Sequence, residues 1–476
     1  MRPITVAFTV AFAVALAVAL AVALDWVGLS DLADARPAEP TPLRILGSGF
    51  VTDGSHPQRP GDFRRYEIDL QLTVDPRLGE FGFFLESGEP DAREIDRYYV
   101  RRGRIFQVDT AGVEIDAASF VDVSSATLAA LHPLVVVNAI RERPENLREI
   151  SDGRSVFAWR DELWEIDSKG SLREGGAITR LRRSTFHDVL GDGEEEVRYE
   201  GTMVGGGFSG PAGVVVTAGG REIARFSFSA VEPGVETEFP DGNRARDRAR
   251  VADPDELVSH EIAPHCFAMD ITSMDTRVFV IEFSDHLAVI EGVYNSRNCD
   301  RVVQRIGVQF GKPVRYFAFS HLHGQYIGGM RSWVHSGATV LAPETTAPMV
   351  ETIFAAGHSL RPDALAREPK PLQLETIADR RLFEDEMNAL EIFNVESQHT
   401  DEYFLFYLPR AKLLLTGDLL FYRPGNPLTG RSRKLCETVA KLGIDVETYY
   451  VTWPLSTDYG TRSIVTGEEM RKGCGE

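Results

Sequence analysis

Residues 316–329 read Tyr316-Phe317-Ala318-Phe319-Ser320-His321-Leu322-His323-Gly324-Gln325-Tyr326-Ile327-Gly328-Gly329. The first four form an uninterrupted apolar run, the mark of a strand buried on both faces. The run ends in two histidines one residue apart. In the irregular turn after a strand, both imidazoles can aim at one point beyond the strand end. A metal requires this, since its ligand atoms must converge at about 2.0–2.1 Å from zinc. The Gly328-Gly329 pair lets the backbone turn tightly and start a helix. Taken alone, such a pair also reads as two surface histidines.

Outward from this stretch, the chain alternates strand and helix. Arg277–Glu282 and His286–Ile290 read as paired strands, and a helix runs from about Arg297 to Val308 with Val302, Val303 and Ile306 facing in. Val314–Phe319 is a strand, Gly328–His335 a short helix, Thr339–Ala342 a strand and Ala347–Ala355 a helix. Leu390–Val395, Tyr403–Leu408 and Lys412–Thr416 complete the strands. This alternation implies an α/β core with helices covering sheets.

The run from Val278 to Tyr422 resembles the metallo-β-lactamase-fold superfamily. In that family a strand is followed by Thr/Ser-His-x-His-x-Asp-His-x-Gly-Gly, then by a His-Thr before a strand ending in Leu-Pro, then by an apolar strand ending in Gly-Asp. The landmarks here, in order, are Ser320-His321-x-His323 with Gly328-Gly329, Ser397-Gln398-His399-Thr400-Asp401, Tyr407-Leu408-Pro409, and Leu413-Leu414-Leu415-Thr416-Gly417-Asp418. The resemblance implies an αββα sandwich over residues 257–476.

It also implies a ligand set. His321, His323 and His399 match the family's first zinc site, and Asp418 matches the bridging carboxylate. The second zinc site is degenerate: Gln325 and Tyr326 stand where the family has Asp and His, and Thr452-Trp453-Pro454 replaces the late His-Gly segment. Gln and Tyr are neutral and compete poorly for a divalent cation, so one zinc is expected and a second is disfavoured. Asp418 completes the coordination or holds a water. Gln325, which does not titrate, orients a carbonyl or water, and Tyr326 offers a phenolic donor to developing negative charge. Asp401 is read as an orienter of the His399 ring, and Asp458 as a weak candidate for a lost ligand. His265, His286, His335 and His358 read as surface or core histidines.

Before this domain the dominant signal is short period-2 runs: Tyr66–Val74, Phe81–Leu85, Tyr98–Val108, Val156–Ile166, Val197–Val204, Gly213–Val216 and Ile223–Phe228. They predict a β-rich, antiparallel N-terminal domain over 44–232, with one helix from about Ser124 toward Ala139. Phe186–Gly193 looks like a calcium loop but lacks alternating carboxylates, so it reads as an Asp-Gly turn. Residues 25–43 and 233–256, rich in Pro, Asp and either Ala or Arg, read as linkers.

Ile4–Leu24 carries no charge and is long enough to span a bilayer, with Arg2 before it and Asp25, Asp31 and Asp34 after it. Residues 1–24 are therefore a signal peptide or a membrane anchor. Ala21-Val22-Ala23 and Ala33-Asp34-Ala35 offer small-residue cleavage sites. Either way the remainder is expected to be exported, periplasmic or anchored facing the periplasm or exterior. Outside the cytosol the four cysteines at 266, 299, 436 and 474 can pair. Cys436 with Cys474 is one reading and four unpaired thiols the other.

The chain has 476 residues, 43% hydrophobic and 26% charged, an ordinary globular composition. Its 51 Lys and Arg against 71 Asp and Glu give a net charge of −20, which repels phosphate backbones. No nucleic-acid partner is expected; the partner is a small-molecule substrate. The expected function is an exported mononuclear zinc hydrolase of an ester, thioester, lactone or related acyl compound, using a zinc-bound hydroxide. Its alternative is a non-catalytic pseudoenzyme, an envelope binding or scaffold protein.

Overall fold

The computed structural model describes residues 43–53, 64–75, 80–87, 94–101, 104–108, 114–116, 144–151, 153–159, 162–172, 177–205, 208–235, 257–456 and 460–475. The apolar run 4–24, the helix expected over 124–139, most of both linkers and Asp458 lie outside them. Among the described residues no helix is long and apolar enough to cross a membrane. The chain divides into two compact units, the second built from 257 onward together with residues 186–192.

The first unit is a meander. In spatial order the thirteen described strands of its large sheet are Glu114–Asp116, Arg104–Val108, Glu94–Arg101, Glu80–Ser87, Arg64–Asp75, Leu43–Asp53, Arg221–Pro233, Gly213–Ala218, Gly191–Glu200, Ala177–His187, Glu162–Lys169, Arg154–Trp159 and Leu147–Ser151, and Met203–Gly205 pairs with Phe208–Gly210 in a small second sheet. Antiparallel pairing of Leu43–Asp53 with Arg221–Pro233 joins the first half of the meander to the last. Two expected strands prove to be hairpins: Tyr98–Val108 and Val156–Ile166 each resolve into two strands paired with each other. Alternation continued through the reversal, so the period-2 pattern did not reveal the turn. Val197–Val204 is likewise divided between Gly191–Glu200 and Met203–Gly205.

The second unit has two sheets. The first comprises β1 (Leu257–Ala263), β2 (Cys266–Ile271), β3 (Thr276–Glu282), β4 (Leu287–Ile290), β5 (Val314–Ala318), β6 (Thr339–Pro343) and β7 (Gln373–Ile377), in that spatial order. It is antiparallel from β1 to β4 and parallel from β4 to β7. The second comprises β8 (Arg380–Glu384), β9 (Ala389–Val395), β10 (Tyr403–Leu408), β11 (Leu413–Leu415), β12 (Thr448–Tyr450) and β13 (Ile464–Thr466).

Alternating side chains place these sheets in four layers. On β3, Phe279 and Ile281 pack with Leu390, Ile392, Phe404 and Phe406 of the second sheet. Val278 and Val280 point the other way, into a cluster with Val302 and Ile306 of α1 (Ser296–Phe310). That cluster also holds Trp333 of α3 (Met330–Ser336), which follows the single-turn α2 (Gly324–Ile327), and Val350 and Ile353 of α4 (Ala347–Ala355). Val189 of the 186–192 turn joins it.

On β10 the inward Phe404 and Phe406 alternate with Tyr403, Leu405 and Tyr407. These three pack with Leu435 of α5 (Gly430–Leu442) and Met470 of α6 (Gly467–Cys474). The result is the αββα sandwich that the resemblance implied. Strand segments covered on both faces are largely apolar, as in Val278–Ile281 of β3 and Tyr403–Leu408 of β10.

A disulfide joins Cys436 of α5 to Cys474 of α6, while Cys266 and Cys299 are buried free thiols. The Phe186–Gly193 segment turns at residues 188–190, between the strands Ala177–His187 and Gly191–Glu200. Its Asp192 carboxylate accepts the Ser359 and Leu360 backbone N–H groups at 2.5 and 3.0 Å. The Gly328-Gly329 pair acts as read: Gly329, at φ 80°, caps α3, and a Cβ there would lie 2.3 Å from Cys299 Sγ.

Candidate metal centre

The turn after β5 is fixed by backbone bonds from three strands. Glu291, at the end of β4 with φ 73°, donates its N–H to Ala318 O at 2.8 Å, and its Oε2 accepts the Ser320 N–H at 3.0 Å. Phe404 of β10 donates to Ser320 O at 2.7 Å. His321 therefore leaves the strand end in a set direction. Ser320 Oγ lies 3.1 Å from its Nδ1, which turns Nε2 toward the centre. The backbone then tightens: His323 N–H donates to His321 O, and Tyr326 and Ile327 N–H both donate to His323 O.

His399 comes from the loop between β9 and β10. Ser397 Oγ accepts the N–H groups of His399 and Thr400 at 3.0 and 2.9 Å, a hydroxyl-stabilised turn that presents the imidazole. Asp418 follows β11. Gly417, at φ 57°, makes the bend, and a Cβ on it would stand 2.0 Å from Tyr403 Oη. Tyr403 Oη accepts the Asp418 N–H at 3.0 Å and lies 3.2 Å from Asp418 Oδ1 and 3.0 Å from Thr416 O. Its ring stacks on His321 at 4.8 Å.

These elements bring His321, His399 and Asp418 together. One ligand atom from each lies within 4.8 Å of the other two, and all three residues are buried. The His321 and His399 rings are 4.7 Å apart, and His399 Nε2 is 3.5 Å from Asp418 Oδ2. His323, the fourth expected ligand, is outside that mutual reach; its ring packs 5.6 Å from His321. No other group of this kind occurs among the described residues.

Gln325 and Tyr326 are buried, at 5% and 0% exposed. The Tyr326 ring sits 5.0 Å from His321 and 5.2 Å from His323. Tyr326 Oη and Gln325 Nε2 are buried without a hydrogen-bond partner among the described residues. Burial, aided by the negative charge of Asp418, pushes the Tyr326 phenol well above its ordinary range, so it stays a donor. Thr452 also reaches the site, donating its N–H to Gly417 O at 2.7 Å and its hydroxyl to Glu291 Oε1 at 3.5 Å. Burial raises the Glu291 carboxyl to about 8, with Asp418 contributing in the same direction.

The sequence did not single out three of the neighbours that hold this centre: Tyr403, Glu291 and Arg431. Arg431, the second residue of α5, places Nη2 3.1 Å from His399 Nδ1. Its Nη1 donates to Asp418 O at 3.2 Å. The histidines read as structural are so: His265 pairs with Glu282, His286 with Asp285 and His335 with Glu368, while His358 packs edge-on against Phe186.

Two imidazoles and a carboxylate, buried and convergent, are a donor set suited to a divalent first-row cation. The Tyr326 hydroxyl beside them, without a hydrogen-bond partner among the described residues, suits an oxygen of a bound molecule. The residues therefore fit a divalent metal ion.

No protein-family model and no curated protein matches the chain. Among solved structures it is similar to a metallo-β-lactamase from Pontibacter korlensis, with 15% identity over 46% of this chain and 98% of that one, at a TM-score of 0.34. It is also similar to the DIM-1 metallo-β-lactamase, with 13% identity over 47% of this chain and 97% of that one, at a TM-score of 0.35.

Proposed function

We propose that the second unit is a metallo-hydrolase with one zinc ion, acting outside the cytosol on an ester, thioester, lactone or related acyl compound. The observation that carries this is the convergence of His321, His399 and Asp418 within 4.8 Å in a buried centre. A zinc ion held there supplies Lewis acidity and lowers the pKa of a water to about 7.

The chain's own residues do the rest. Asp418 is held from two sides, Oδ1 toward Tyr403 and Oδ2 toward His399, so Oδ2 is the oxygen it presents to the centre. Tyr326 Oη and Gln325 Nε2 donate to the substrate oxygen as negative charge develops on it, with no solvent competing for them. Both are neutral, so the half of the pocket they fill offers nothing to a second cation. His323 packs against Tyr326 and holds its ring in place.

The test is a panel of p-nitrophenyl esters, acyl thioesters and lactones offered to the zinc-loaded full chain. Turnover that disappears in His321→Ala, His399→Ala and Asp418→Ala supports the reading. No turnover on any of them, with zinc bound, leaves the non-catalytic binding protein in its place.

A further inference from the structure

Arg431 is the group in this centre that the reaction above does not use. Its side chain is 28% exposed and lies with the guanidinium 5.6 Å from the Phe421 ring centre. Nη1 donates to Asp418 O at 3.2 Å and stands 3.7 Å from Asp418 Oδ2, while Nη2 stands 3.1 Å from His399 Nδ1. A guanidinium has five donors and no acceptor. In this contact Nδ1 must therefore accept, which puts the proton of a neutral His399 ring on Nε2. Nε2 is the nitrogen turned toward Asp418 Oδ2 and the centre.

A cation needs the opposite arrangement. An imidazole that gives its Nε2 lone pair to a metal carries its proton on Nδ1, and it usually donates that proton to a carboxylate or carbonyl. A donor facing a donor is repulsive, so the Arg431 contact and ligation through Nε2 exclude each other. Charge acts in the same direction. The guanidinium already compensates the Asp418 carboxylate at the place where a cation would do so.

We infer that Arg431 is a positioning residue that competes with the cation. It holds His399 and Asp418 together in the cation-free centre and withdraws Nη2 from Nδ1 when the metal binds. Nη1, bonded to a backbone oxygen, can stay as the hinge of that movement. The inference rests on the metal-centre reading above and adds to it that this chain sets its own metal affinity through one half-buried arginine.

The experiment is a zinc titration of the full chain against a chromogenic chelator at neutral pH, for the unmodified protein, Arg431→Met and Arg431→Lys. Methionine keeps side-chain length but removes charge and donors; lysine keeps the charge without the planar fork. Arg431→Met is expected to bind zinc about tenfold more tightly or better, and Arg431→Lys to change less. Alongside, nitrogen NMR of the unmodified protein, with His399→Ala for assignment, is expected to show the His399 proton on Nε2 without zinc and on Nδ1 with it. Equal or weaker zinc binding by Arg431→Met, or Nδ1–H in the cation-free protein, overturns the inference. If neither protein takes up zinc, the metal-centre reading falls with it; equal affinities with normal uptake overturn the Arg431 inference alone. Should Arg431→Met fail to fold, the NMR result on the unmodified protein decides.

Discussion

Tyr403 and Asp418 are tied at two points: the tyrosine hydroxyl accepts the Asp418 backbone N–H at 3.0 Å and lies 3.2 Å from its Oδ1. The same ring stacks on His321, so one β10 side chain sets the direction of a ligand from each sheet. Tyr403→Phe keeps the stack and deletes the hydroxyl that meets both the Asp418 N–H and its Oδ1. A loss of about 1–3 kcal/mol in urea unfolding is expected. Zinc affinity should fall by about 10–100-fold.

Gly417 has no room for a Cβ. At φ 57°, with Tyr403 Oη 2.0 Å from the atom that would be added, Gly417→Ala must displace the Asp418 bend. A stability loss of about 1–3 kcal/mol by thermal unfolding is expected, with loss of zinc uptake. Gly425→Ala, at φ 80° with no atom within 4 Å, carries the backbone strain alone and should leave zinc uptake intact.

Glu291 makes stability depend on pH. Its carboxyl is raised from 4.5 to about 8, chiefly by burial. Between those values the folded state binds a proton that the unfolded state has released, so stability falls as pH rises through this window. The contribution is complete below about pH 4.5 and gone above about pH 8, with a slope of at most about 1.4 kcal/mol per pH unit. Glu291→Gln keeps the shape and the neutral state, so its unfolding curves across this range should be flatter than those of the unmodified chain. Parallel curves for the two proteins would show that Glu291 is not protonated when folded.

The disulfide between α5 and α6 closes a separation of 38 residues. Reduction, or the paired change of Cys436 and Cys474 to Ser, should lower stability by about 2–4 kcal/mol in denaturant unfolding. Because α5 carries Arg431 at its start, zinc affinity should be remeasured in the same protein.

Much of the second unit was legible in the sequence because its strands are buried on both faces. Tyr403–Leu408 and Ala347–Ala355 read at their actual bounds, since apolar run and helical period leave little ambiguity there. Helix α5 was missed. Its apolar stripe, Leu435, Cys436, Val439 and Leu442, begins only in the second turn, and its first turn is occupied by Arg431, Arg433 and Lys434, so it has no apolar start to mark it. Arg431 was missed with it. Nothing local marks that residue; only the approach of the α5 start to the 397–400 turn puts it on His399.

His321, His399 and Asp418 were legible because each ends or follows an apolar strand within an ordered motif. Tyr403 was hidden for the opposite reason, being one aromatic residue in a strand where every residue is buried. Its functional hydroxyl looks like core packing until β10 and β11 are paired.

The most direct check is the zinc content of the purified full chain, by equilibrium dialysis and mass spectrometry, beside His321→Ala, His399→Ala and Asp418→Ala. About one ion per chain in the unmodified protein, falling toward zero in each variant, is the expected result. A chain that takes up no zinc at neutral pH, or one whose uptake is untouched by all three substitutions, would contradict it.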